Sequence, residues 1–261
     1  MVMERMSLDF NGKVAVLKFN HPEVMNAIGG LMLEDFAEAM QAISDPANGA
    51  RCLYLTGVGR GFCAGANLQD DHQPQRRGSG NGLRSSYHPL LLGLRDLDMP
   101  MVTAVNGAAA GVGMSFAMMG DIICASKNAF FLQAFARIGL VPDGGSTFML
   151  PRLVGWGRAI ELSMLAERLS AETAHEWGLV NRLFEDSEAL EEGAMKIANQ
   201  LANGPRSLSF IRQAYWNTWH NAFEQQLDLE ARLQSKAGAS GDFAEGVSAF
   251  LEKRDAQFKG E

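Results

Sequence analysis

The sequence predicts an α/β fold, and three observations carry that expectation. Short β-rich runs alternate with stretches whose apolar residues recur at helical spacing. Two of the runs empty directly into glycine-punctuated turns, as strands do when a helix follows. Apolar residues make up 47% of the 261, enough for a substantial core.

Val14, Val16, Leu17 and Phe19 form the first β-rich run, ended by Asn20-His21-Pro22. Leu33, Phe36, Met40 and Ile43 recur at helical spacing, and Asp45-Pro46 closes that helix. Cys52-Leu53-Tyr54-Leu55 reads as a buried strand leading into the first glycine turn. Residues 70–86 are polar and glycine-rich and read as a loop, either mobile over a site or inert on the surface. Leu83, Tyr87, Leu90, Leu91, Leu94 and Leu97 mark the next amphipathic helix, which ends before Pro100. Residues 101–105 and 122–125 are further strands. Beyond about residue 155 the pattern turns helical, through 205–219, 222–236 and 242–253, with no linker that would set off a second domain.

With 23 Lys and Arg against 30 Asp and Glu, the net charge of −7 argues against nucleic acid or an anionic membrane surface as the main partner. No apolar stretch reaches the roughly 18 residues of a membrane helix. Residues 1–6 lack the apolar stretch of a signal peptide. Cys52, Cys63 and Cys124 are odd in number and scattered, unlike a disulfide framework or a metal site. The expectation is a cytoplasmic protein with reduced thiols and no metal.

The chemistry points to the two turns, Arg60-Gly61-Phe62-Cys63-Ala64-Gly65-Ala66-Asn67-Leu68 and Ala104-Val105-Asn106-Gly107-Ala108-Ala109-Ala110-Gly111-Val112-Gly113. Small residues let a ligand approach the main chain, and the first N–H groups of a helix lack internal partners. Two such turns converging on one oxygen would stabilise an enolate or tetrahedral oxyanion. Taken singly, each turn reads equally as tight helix–strand packing.

Other motifs fail. A dinucleotide G-x-G-x-x-G after Gly111 would need glycine at Phe116. Gly113-Met114-Ser115-Phe116-Ala117 nearly makes a nucleophile elbow, but alanine replaces its last glycine, and His175 and His220 lie in structural contexts. No histidine pair has metal-ligand spacing.

The two turns together resemble the crotonase (enoyl-CoA hydratase/isomerase) superfamily. Further similar segments follow in the family's order: Ile138-Gly139-Leu140-Val141-Pro142-Asp143-Gly144-Gly145, Leu169-Ser170-Ala171-Glu172-Thr173-Ala174 with Trp177-Gly178-Leu179-Val180, and residues 245–254. The resemblance covers essentially the whole chain. It implies one crotonase-type domain over 1–261, with a spiral of β-β-α units to about residue 200. A helical C-terminal region over about 205–261 would serve assembly as a homotrimer or hexamer.

The resemblance also implies an acyl-CoA thioester substrate, with coenzyme A entering only as part of it and no separate cofactor. The oxyanion donors would be the N–H groups of Ala66 and Val112. Substrate would be bordered by Met25, Ala27, Ala64, Gly65, Leu68, Gly111 and Gly113. Val112 stands where relatives commonly carry glycine, and a valine there disfavours positive φ. Asn67 stands where many carry aspartate. The hydratases' two glutamate positions fall on Ser115 and Phe135, neither of which can do carboxylate chemistry. A carboxylate sits instead at Asp143, where the isomerases that shift a double bond or open the ring epoxide of phenylacetyl-CoA place a catalytic aspartate. That position also suits a helix N-cap.

The likeness within the superfamily is greatest to the ring-epoxide isomerases. An enoyl-CoA hydratase and a non-catalytic RNA-binding or scaffold relative are the alternatives.

Overall fold

A computed structural model describes residues 3–69 and 80–261. Alternation of apolar residues drives the strands, and Val14, Val16, Cys52 and Tyr54 point to one face while Ala15, Leu17, Leu53 and Leu55 point to the other. Strands β1 (Met6–Asn11) and β2 (Val14–Phe19) pair antiparallel, opposite Asn11↔Val14. Beyond them β3 (Cys52–Gly57), β5 (Met101–Val105), β7 (Ile122–Ser126) and β10 (Arg182–Phe184) add in parallel, completing a six-stranded sheet in the order β1-β2-β3-β5-β7-β10.

Strands β3, β5 and β7 are each followed by a short strand of a second sheet: β4 (Gly61–Cys63), β6 (Ala108–Ala110) and β8 (Phe130–Leu132), with β9 (Arg168–Ser170) antiparallel at the edge. Helices complete the turns of this spiral. Helix α1 (Gly30–Ser44) precedes β3. A helical stretch made of α2 (Gly80–Gly82), a wide turn at 83–87 and α3 (His88–Arg95) precedes β5, and α4 (Val112–Ala117) precedes β7. This is the β-β-α spiral that the resemblance implies, an α/β architecture as the sequence predicts.

One face of the large sheet is closed by α8 (Ser187–Ala202). Leu190, Ala194, Ala198 and Ala202 fall at four-residue spacing on it and bury against Val14, Val16, Tyr54 and Val102. The small side chains let the helix lie close to the strands. The opposite face carries the main core, centred on Phe19, Phe36, Phe62 and Phe116, whose rings meet mostly edge to face at 5.3–5.9 Å.

Between β8 and α8 come α5 (Ser146–Val154), α6 (Trp156–Leu165) and α7 (Ala171–Glu176). The chain ends in α9 (Ser207–Thr218), α10 (Phe223–Gly238) and α11 (Gly241–Glu252). Helix α9 is tied down by Arg212. Its guanidinium pairs with Asp121 at 2.8 Å and donates to the carbonyls of Leu94 and Leu97 at 2.7 and 3.1 Å.

Three expectations change. Strand β1 was not anticipated, although Met6 and Leu8 alternate inward across polar Ser7 and Asp9. Residues 80–86 of the polar segment are helical rather than loop, because Leu83 and Tyr87 continue the apolar stripe of α3; residues 70–79 lie outside the described ones. The chain past residue 155 includes β9 and β10 as well as helices. Of the aromatic residues on the C-terminal helices, Trp216 and Trp219 pack against the core, whereas Tyr215 and Phe223 are exposed.

Candidate active site

The first glycine turn follows β4 and takes its shape from residues far back in the chain. Met25 and Asn26 sit in the left-handed region at φ 55° and 57°. This turns the Asn26 side chain inward, where it is fully buried. Its Oδ1 accepts from the His21 N–H at 2.8 Å, and its Nδ2 donates to the carbonyls of Val58 and Gly61 at 3.0 and 2.8 Å. The Ala64 N–H donates to Met25 O at 3.0 Å, and Ile28 bridges the main chain of Gly65 and Asn67 at 2.7 and 2.8 Å. That bridge uses the Gly65 carbonyl and the Asn67 N–H, so the N–H of Ala66 between them faces the other way.

The second turn links β6 to α4. Gly111, at φ 53°, makes the corner, with its N–H on Leu132 O at 2.9 Å. Positive φ therefore falls on the glycine. Val112 begins the helix outside that region, which is why a β-branched residue is tolerated there. As the first helical residue, Val112 has an N–H without an intrahelical acceptor. Among the described residues, neither Ala66 nor Val112 donates to a main-chain carbonyl.

The two turns stack main chain on main chain. A Cβ on Gly65 (φ 97°) would stand 2.8 Å from Ala110 O and 3.7 Å from the Gly111 Cα. One on Gly107 would meet Arg60 O at 2.1 Å, and one on Gly113 would meet Cys63 O at 2.2 Å. The glycines are what allow this approach. It brings Ala64, Gly65, Ala66, Gly111, Val112 and Gly113 together, with the Met25 side chain against Gly61. Leu68 lies on the exposed exit of the first turn, and Ala27 is buried.

Asp143 arrives on a turn whose next two residues, Gly144 and Gly145, are both left-handed at φ 61° and 82°. The turn presses on α4: a Cβ on Gly144 would lie 2.8 Å from Ser115 Cβ and 3.0 Å from Val112 Cγ2. The N-cap of α5 is Gly145, and the Asp143 carboxylate caps nothing; its main-chain carbonyl takes the Ser146 N–H at 3.0 Å. The helix-cap reading of Asp143 fails on that geometry. Oδ1 is buried without a hydrogen-bond partner among the described residues, and burial pushes the carboxyl up to about 6.

Ser115 and Phe135 are both buried, at 1% and 6% exposure. Phe135 presents its ring edge to Gly111, 3.9 Å from where a Cβ would be. Ser115 is hydrogen-bonded to Ser146 and to the Asp143 carbonyl, and no histidine accompanies it. Asn67 accepts the N–H of Gln69 in a local turn. His175 bonds the Val180 carbonyl, and His220 stacks on Phe148. Arg254 is engaged by Glu245 and Glu252. Among the described residues, no group of three or more His, Cys, Asp or Glu side chains is disposed to hold a metal ion, and no helix is long and apolar enough to cross a membrane.

Sequence reasoning missed Asn26, Gln133 and Ser146 as supports of these turns. Their partners are main-chain atoms and hydroxyls from distant segments, and no local pattern announces such contacts. The arrangement places two N–H groups without main-chain acceptors among the described residues on packed turns, and a half-buried carboxyl on a turn against the helix that Val112 begins. That combination suits withdrawal of a proton next to a carbonyl whose oxygen becomes negative.

The model of the Enoyl-CoA hydratase/isomerase family matches residues 9–261. The chain is 43% identical over 251 residues to 1,2-epoxyphenylacetyl-CoA isomerase of Escherichia coli strain K12, covering 95% of each. It is 40% identical over 254 residues to a Rhodobacter capsulatus protein named "Probable enoyl-CoA hydratase", again covering 95% of each. Among solved structures, an enoyl-CoA hydratase from Polaromonas sp. JS666 superposes with a TM-score of 0.89 at 33% identity, over 97% of this chain and 99% of that one.

Proposed function

This chain belongs to the enoyl-CoA hydratase/isomerase family, and from that premise we propose that it is an acyl-CoA isomerase with Asp143 as its acid/base. The observation that carries the proposal is the distribution of carboxylates. By the resemblance a hydratase's glutamate positions fall on Ser115 and Phe135, while Asp143 holds a buried carboxyl oxygen, without a hydrogen-bond partner among the described residues, on a turn pressed against α4.

In this reading the thioester carbonyl sits between the N–H groups of Ala66 and Val112. The Asp143 carboxylate takes a proton from the carbon next to the thioester, and the electron pair moves onto the thioester oxygen as an enolate held by the two donors. The resulting carboxylic acid returns the proton two carbons further along, so the double bond shifts and nothing is added or lost. For a ring epoxide, the same pair of devices assists opening to the seven-membered oxepin. A single carboxylate suits such a shuttle; adding water calls for a second to hold it.

The likeness to the Escherichia coli isomerase supports 2-(1,2-epoxy-1,2-dihydrophenyl)acetyl-CoA as the substrate, which would place the enzyme in phenylacetate breakdown. The Rhodobacter relative favours the second reading, an enoyl-CoA hydratase. Assembly as a homotrimer or hexamer belongs to the proposal, supported by exposed Tyr215, Phe223, Phe243, Phe250 and Leu251 on the last three helices. So does a cytoplasmic location, which the buried free cysteines suit.

The test is to assay the purified protein on cis-3-enoyl-CoA, trans-2-enoyl-CoA and the phenylacetyl-CoA epoxide, alongside Asp143→Asn. Isomerisation by the wild type should fall by roughly 10²–10⁴ in the variant, with acyl-CoA binding retained. Rapid hydration of the trans-2-enoyl thioester, or normal isomerisation by Asp143→Asn, overturns the reading.

A further inference from the structure

We infer that Ser115 is a positioning residue for Asp143, acting through a buried chain of hydrogen bonds that fixes the turn bearing the carboxyl to the helix bearing the Val112 N–H. The inference rests on the reading of Asp143 as the base.

The chain runs through three side chains, each about 1% exposed and each from a different segment. Gln133, just after β8, donates from Nε2 to Ser146 Oγ at 3.3 Å. Ser146, first residue of α5, meets Ser115 Oγ at 2.7 Å. Ser115, in α4, reaches the Asp143 carbonyl at 3.0 Å. Chemistry fixes the direction. A carbonyl only accepts, so the Ser115 hydrogen goes to Asp143. The Ser146 hydrogen then goes to Ser115, which leaves Ser146 free to accept from Gln133.

The turn needs such a hold. Two consecutive left-handed glycines follow Asp143, and no side chain caps the helix beyond them. Main chain of that kind has many conformations open to it; the Ser146 N–H on the Asp143 carbonyl narrows them, and the Phe148 and Met149 N–H groups hold the Gly145 carbonyl at the far end. With Oδ1 unpartnered among the described residues, the aim of the carboxyl is set largely by the main chain of its own residue, and the Ser115 hydroxyl grips that main chain. Ser115 lies one helical turn from Val112, so a single short helix sets both the donor and the base.

A purely structural role would have the hydroxyls satisfying one another in the core, with no bearing on the proton transfer. A double-mutant cycle on isomerisation of cis-3-enoyl-CoA separates the two. Ser115→Ala should lower kcat by roughly 10–100-fold, as misplacement of a catalytic group does, with KM within about twofold. The acid limb of its pH–rate profile should move below that of the wild type as water reaches the loosened carboxyl. Added to Asp143→Asn, the same substitution should cost nothing further.

Losses that multiply in full, or a Ser115→Ala enzyme with unchanged kcat and acid limb, overturn the inference. Should Ser115→Ala fail to fold, Ser115→Cys keeps the size, replaces the hydroxyl by a weak donor and is read identically. A normal Ser115→Ala beside a crippled Asp143→Asn refutes this inference alone. A normal Asp143→Asn removes the base assignment and this inference with it.

Discussion

Gly113 packs directly on Cys63: a Cβ on the glycine would stand 2.2 Å from the cysteine's carbonyl oxygen and 2.9 Å from its Cβ. No flexible side chain lies between them to give way. The start of α4 and the end of β4 are thus held at a separation that only glycine permits.

Gly113→Ala should therefore damage the fold as well as the site. We expect a loss of about 1–3 kcal/mol or more, the range for overpacking a tight interior, read as a lower urea midpoint. Gly65→Ala should act similarly through its left-handed φ of 97° and the Ala110 carbonyl at 2.8 Å. Midpoints unchanged in both variants would mean that the two turns can part without cost.

Activity should fall as pH drops through about 6, because a proton-abstracting Asp143 must be ionised and burial has raised its carboxyl to that value. Stability carries the opposite sign. A carboxyl raised in the folded state holds its proton there longer than in the unfolded chain, so ionising it costs stability as pH rises from about 4 to 6. Asp143→Asn removes that cost. The variant should match the wild type near pH 4 and exceed it above pH 6, by at most about 3 kcal/mol. Denaturant titrations at the two pH values check this.

Arg212→Met should be among the most disruptive single changes in the C-terminal third. It leaves the Asp121 carboxylate with the Met101 N–H but without its cation, and removes the buried guanidinium from the carbonyls of Leu94 and Leu97. Removing one partner of a buried pair costs about 3–5 kcal/mol. Loss of cooperative unfolding by α9, followed by hydrogen exchange, is the expected signature.

Phe250 is 81% exposed on α11, with Leu251 beside it at 74%. Phe250→Asp should leave the fold intact and weaken self-association, seen as a lower mass in sedimentation equilibrium. A wild-type protein that stays monomeric at micromolar concentration would remove the basis for this expectation.

Helix α1 and strands β2, β3, β5 and β7 of the large sheet were legible because their apolar residues repeat or run with the period of the element, as Leu33, Phe36, Met40 and Ile43 do in α1. The short strands of the second sheet were not. Ala108–Ala110 and Gly61–Cys63 have three residues each, too few for a period, and they exist because neighbouring main chain pairs with them. The glycine turns stood out, but which residue bends did not: the strain at Gly111 spares Val112. Asp143 was visible as a carboxylate beside two glycines. That its side chain caps nothing could be learned only from the position where α5 begins.

Asn26 has one further implication. The carbonyls it grips belong to residues more than thirty positions later, at Val58 and Gly61. The segment carrying Ala66 therefore owes its shape to a distant part of the chain and has little of its own to keep it. Transplanted alone into another scaffold, residues 57–67 would lose the outward N–H. A graft that preserved it would have to bring residues 21–28 as well, making those two stretches the smallest portable unit of this half of the site.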